Sequence, residues 1–165
     1  MNKSVLLKGH VVATIIAFST ISSFFFSTLW AEVFGGASMI LKVKTLILYL
    51  LPVLIIAMPV LASTGFRLAA KSNSGLVSRK VKRMRIIGIN GILLITMAVF
   101  LYLRALDFQF DSLFWSAQML ELGLGGTNLI LIGLNIRDGL RLSSKLKRKA
   151  YLPARIFSNL PGIYR

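Results

Sequence analysis

Residues 43–66 read VKTLILYLLPVLIIAMPVLASTGF, and beyond Lys44 not one of them is charged. A helix needs ~20 apolar residues to cross the hydrocarbon of a bilayer. Such a segment reads as a helix because a spanning helix makes all its backbone hydrogen bonds internally. Three further runs of this kind lie at 10–30, 86–103 and 113–135. Composition agrees with the count. Of 165 residues, 56% are hydrophobic and only 15% are charged, against ~25% charged in soluble domains. Lipid is the natural solvent for such a chain.

The connections between runs are short, which makes sequence neighbours antiparallel neighbours. The expected fold class is therefore all-α: an integral-membrane four-helix up-down-up-down bundle over residues 1–135, followed by a basic cytoplasmic tail over 136–165. The first run is too long for a secretion signal and has no cleavage site before a soluble domain.

Charge orients the bundle. The net charge of +15 would suggest nucleic acid in a soluble protein, but here the cations flank the apolar runs. The middle connection carries Arg67, Lys71, Arg79, Lys80, Lys82, Arg83 and Arg85, and the tail carries Arg137, Arg141, Lys145, Lys147, Arg148, Lys149, Arg155 and Arg165. The other two connections hold Lys42, Lys44 and Arg104 with Glu32, Asp107 and Asp111. By the positive-inside rule both termini and the middle connection face the cytoplasm. The expected partners are the bilayer and, at the basic connection and tail, anionic lipid; nucleic acid is not expected. The tail reads as a basic helix on the inner leaflet or as disordered chain, broken at Pro153 and Pro161, with Gly139 ending or bending the fourth helix.

Several chemistries are excluded. The chain has no cysteine and one histidine, His10, so thiolate chemistry and a histidine-rich metal site within one chain are absent. No nucleophile–base pair is visible, and Gly123–Gly126 lie inside a helix, not in a phosphate loop. No independent catalytic activity is expected.

The helices carry four polar features. Ser19, Ser23 and Ser27 share a face of the first, next to Ala13 and Ala17, which suits close helix packing; Phe24, Phe25, Phe26 and Trp30 then suit lipid. Pro52 and Pro59 each remove a backbone donor from the second and favour a kink. Asn90 and Asn128 fall in the same half of the bilayer, where a mutual hydrogen bond is expected. Glu121 lies ~12 Å inside the fourth span, on one face with Gln118, Gly125 and Asn128. Three roles fit that acid: a pair with Lys44 or Arg104, a protonated carboxyl bonded to a serine of the first helix, or proton or substrate handling. Lys44 itself is expected to snorkel to the headgroups.

His10 sits at the cytoplasmic edge of the first helix. A neutral imidazole ligates haem iron, Met58 or Met84 would supply a second axial ligand, and Lys8, Arg83 and Arg85 lie at a depth suited to propionates. The stretch Lys8-Gly9-His10-Val11-Val12 resembles the opening of small haem-binding four-helix bacterial membrane proteins, of the protoporphyrinogen oxidase and copper-resistance membrane protein type. Those families space lysine and histidine by two residues, whereas only Gly9 intervenes here. The resemblance covers residues 6–17 and implies haem b on His10 and a bacterial inner (cytoplasmic) membrane location. Near the fourth helix end, NIRDGLRL at 135–142 places Arg137, Asp138 and Arg141 for an ion-pair cluster with the basic middle connection.

The leading functional expectation is a small subunit of a larger inner-membrane assembly or homo-oligomer, bordering a haem or quinone in electron transfer. The alternatives are a stand-alone or homodimeric b-type haem protein through His10, and a small proton-coupled transporter using Glu121.

Overall fold

In a computed structural model the chain forms four helices: α1 (Lys3–Phe34), α2 (Ala37–Ala69), α3 (Gly75–Leu106) and α4 (Ser112–Ser158). The structure describes residues 3–70 and 75–158, with side chains over 4–70 and 75–144. Each helix is long and apolar enough to cross a membrane. The 33 residues of α2 amount to about 50 Å of helix, more than a ~30 Å hydrocarbon core. Helices thus continue well past the apolar runs that reveal them. α4 passes through Gly139 and Pro153 without ending, so neither residue breaks it as expected. Lys71, Pro161 and the last residues of the tail lie outside the described residues, as do the side chains beyond 144 that were expected to meet anionic lipid.

The helices pack in a ring. α1 meets α2, α2 meets α3, α3 meets α4, and α4 returns to α1 through the thinnest seam. Among the described residues the diagonal backbones, α1 with α3 and α2 with α4, do not approach. Two apolar clusters lie inside the ring. One gathers Ala31, Ile40, Leu101, Ala105, Phe114 and Ala117; the other gathers Ile21, Ile87 and Ile132. Outside, Tyr49, Ile56, Ile92 and many other large apolar side chains are exposed, as a lipid-facing surface requires.

The packing face of α1 differs from the expected one. Ala13, Ala17, Ile21, Thr28 and Ala31 are buried. Ser19 and Ser23 are exposed, and Ser27 donates to Phe24 O of its own helix at 3.1 Å. A serine can satisfy itself on its own backbone, so the alanine ridge takes the interface. Phe26 and Trp30 face outward, but Phe24 and Phe25 are half-buried. α2 runs unbroken through Pro52 and Pro59.

The α3–α4 connection is built around Asp111. Its Oδ1 accepts the Phe114 amide at 3.0 Å, capping α4, and its Oδ2 accepts Arg104 Nη2 at 2.5 Å. The Phe114 amide, and after it the Arg104 guanidinium, hold the Asp111 carboxyl below the usual aspartate range. A depressed folded-state value means that this contribution is complete above the ordinary aspartate range and lost as pH falls through the folded value. Asp111→Asn should therefore flatten the acid side of the thermal-midpoint profile while leaving the shape at neutral pH unchanged.

Candidate functional site: a polar diagonal and an apolar cavity

Two helices that do not touch through their backbones are joined by an ion pair. Lys44 Nζ of α2 donates to Glu121 Oε2 of α4 at 2.5 Å, with the lysine only 2% exposed. Gln118 Nε2 donates to the same oxygen at 2.9 Å. Lys44 therefore does not snorkel. A charge on α4 that faces the interior needs a counter-charge there, and the lysine stem is long enough to cross the ring. Glu121 has neither a serine partner nor Arg104, which is taken by Asp111. The face expected for Glu121 is nonetheless the inner one: Gln118 and Asn128 are 0% exposed, and Gly125 lies against Phe25 of α1.

Glu32 joins this group. It stands in the last turn of α1, half-buried, and interacts electrostatically with Lys44 and Glu121. Its Oε1 is buried with no donor, as is Gln118 Oε1. Sequence reasoning assigned Glu32 to an outer connection because the apolar run ends before it.

Asn128 is also left open. Both its amide atoms are buried without a partner, so the expected bond to Asn90 is absent. Asn128 is fully buried, but Asn90 is only half-buried.

Beside this diagonal runs a cavity of about 840 Å³ with a mainly apolar wall drawn from all four helices. Its polar lining includes His10, Lys80, Glu121, Asn128 and Asn135, and both Met58 and Met84 reach it. Phe25 rests against Gly125 and Gly126, and together they shape the α1–α4 wall.

His10 is held in one orientation. Thr64 Oγ1 donates to Val60 O at 2.6 Å, which commits its only proton. At 3.0 Å from His10 Nδ1 the hydroxyl can then only accept. With the Thr64 proton assigned to Val60 O, Nδ1 is the ring donor; the ring also bonds to the Leu61 backbone. A second partner of this kind is what fixes the tautomer of ligating histidines. Next along α2, Gly65 allows a three-helix contact. A Cβ there would overlap Met84 Cε of α3, lie 3.0 Å from Met84 Sδ and 3.1 Å from His10 Cε1 of α1. The Met84 thioether and the His10 ring thus meet over the same bare backbone, while Met58 lies against Gly91.

No family model, curated protein or solved structure matches the chain. The site rests on its own geometry.

The expected cations are elsewhere. Arg83 Nη1 donates to Asp138 Oδ2 at 2.9 Å and to Asn135 Oδ1 at 3.3 Å, tying α3 to α4. Arg137 approaches the same carboxylate at 3.5 Å, so of the cluster expected at NIRDGLRL, Arg137 and Asp138 pair together with Arg83, while Arg141 is exposed and makes no ion pair among the described residues. Arg83 is thereby committed, and Arg85 is exposed and off the cavity wall. The cation that does line the cavity is Lys80, whose Nζ lies 3.2 Å from where a Gly139 Cβ would sit. In the sequence Lys80 is one of many orienting charges, one turn before Met84, and only the tertiary fold singles it out. Among the described residues, no group of three His, Asp or Glu could hold a bare metal ion.

Proposed function

We propose that the protein is a haem-binding subunit of a bacterial inner-membrane electron-transfer assembly. The observation that supports this reading is the placed imidazole: His10, with Nδ1 3.0 Å from Thr64 Oγ1, lines a cavity of about 840 Å³. That volume lies within the ~300–1,000 Å³ of small-molecule and cofactor sites. His10 through Nε2 and Met84 through its sulfur would hold the iron, and Lys80 would hold a propionate. A haem there supplies one-electron chemistry at a potential set by its axial ligands. The apolar residues of the cavity wall would exclude water from it.

In this reading the ring is an up-down-up-down bundle with both termini in the cytoplasm. Arg79, Lys80, Lys82, Arg83 and Arg85 at the start of α3, with Arg137 and Arg141 of α4, support that orientation by the positive-inside rule, and make anionic lipid the neighbour of this end. A bundle holding a single haem would exchange its electron with another redox centre, which motivates the larger assembly. The same protein alone or as a homodimer would migrate without other subunits on a native gel of gently solubilised membranes. Proton-coupled transport through Glu121 draws support from the place of Glu121 on the cavity wall; unchanged flux in Glu121→Gln removes it.

The haem reading has a direct test. Protein expressed with haem precursor and purified in mild detergent should show a Soret band. His10→Ala should lose it with helical content unchanged. A wild-type preparation without a Soret band would falsify the proposal.

A further inference from the structure

We propose that Glu32, Lys44 and Glu121 form a proton-binding site inside the bundle, which holds one proton between its two carboxyl groups at neutral pH. This does not depend on haem. It follows from which charged groups face one another from each helix. α1 contributes Glu32, α2 contributes Lys44 and α4 contributes Glu121, the first coupled electrostatically to both others. α3 contributes Arg104 near this end: its Nη2 pairs with Asp111 and its Nε is buried without a partner, while the cation that acts on Glu32 is Lys44. The cluster thus sets two carboxyls against one ammonium. A carboxylate left without a counter-charge in a membrane interior is costly and takes up a proton instead.

A second observation points to the same ligand. Gln118 is fully buried and aimed into the cluster by its bond to Glu121, yet its Oε1 meets no donor. Glu32 Oε1 is likewise a buried acceptor without a donor. Lys44 and the Gln118 amide both donate to the same Glu121 oxygen, so Glu32 is left outside the bonded set. The cluster is therefore short of a hydrogen-bond donor as well as of positive charge. One proton on a carboxyl oxygen supplies both. Glu121 also lines the cavity, so a proton held here is within reach of whatever the cavity binds.

The other acids do not compete. The chain has five acidic residues. Asp111 and Asp138 are paired with arginines, and Asp107 is exposed. A protonated carboxyl at neutral pH thus has only Glu32 and Glu121 as sources.

The test is infrared spectroscopy of the full chain in lipid nanodiscs, reading the deuterium-sensitive carbonyl stretch of a protonated carboxylic acid. Wild-type protein at neutral pH should show one such group. Glu32→Gln and Glu121→Gln should each show none, because each leaves one carboxylate for one ammonium. Lys44→Met should show two. Absence of the band in wild type overturns the proposal, and so does its survival in either glutamine variant. The glutamine variants keep the side-chain shape, and circular dichroism confirms their fold. If Lys44→Met does not fold, the two glutamine variants decide. The proton count is read with and without haem, so failure of the haem reading would not alter it.

Discussion

Lys44→Met lowers the stability of the bundle by about 3 kcal/mol at neutral pH, the low end of what breaking a buried ion pair costs. The methionine fills the space of the lysine stem. What is lost is the cation that, among the described residues, bonds Glu121, at a site where the lysine is 2% exposed. The Gln118 amide remains as a donor, but a neutral amide does not discharge a carboxylate. The variant's folded state must instead take up one more proton than the native protein. By linkage the deficit then shrinks as pH falls, by about 1.4 kcal/mol per pH unit for one extra proton, until the unfolded chain's own glutamates protonate. Lys44→Met/Glu121→Gln, which removes both charges, should recover most of the loss, since replacing a whole buried pair is often neutral. Unfolding titrations in mixed micelles at two pH values check all three statements. Equal stability of the single and double variants would show that the pair carries no coupling.

Phe114→Ala costs about 3 kcal/mol for a different reason. Phe114 is fully buried at the start of α4 among Ala31, Ile40, Leu101, Ala105 and Ala117. Its ring meets Phe110 edge-on at 4.9 Å and Trp115 at 5.4 Å. In lipid the transfer of a phenyl ring from helix interface to hydrocarbon gains little, because lipid tails are as apolar as the side chain. The loss is of dispersion contacts, and the small residues around the ring cannot close the void. Phe26→Ala, at a ring 61% exposed, removes the same atoms from the lipid face and should change stability by less than about 0.5 kcal/mol. A comparable loss in both variants would mean that Phe114 is not in a packed core.

The sequence makes the four spans legible because a charge-free run of bilayer length has one physical meaning. It does not make the helix ends legible, since a helix leaving the membrane continues through polar residues with no apolar signal. The extension of α4 from residue 135 to Ser158 is such a case. The inner face of α4 can be read from the spacing of Gln118, Glu121 and Asn128. The partner cannot, because the pair crosses the diagonal of the ring from a helix far away in sequence. Small residues on α1 offer two rival faces, and only the tertiary fit selects Ala13 and Ala17 over Ser19 and Ser23. Asn90 and Asn128 show the same limit: equal expected depth does not imply facing positions. His10 and Met84 were legible as candidate ligands, but Thr64, Gly65 and Lys80, which orient and surround them, were not. None of the three carries a pattern of its own.

The proposed function requires that the cavity take one haem on His10. Titration of hemin into purified protein in lipid nanodiscs measures this most directly. Saturation at one haem per chain is expected, with a Soret shift typical of axial ligation, and loss of that saturable phase in His10→Ala. Binding that never saturates, or an identical titration in His10→Ala, would contradict it.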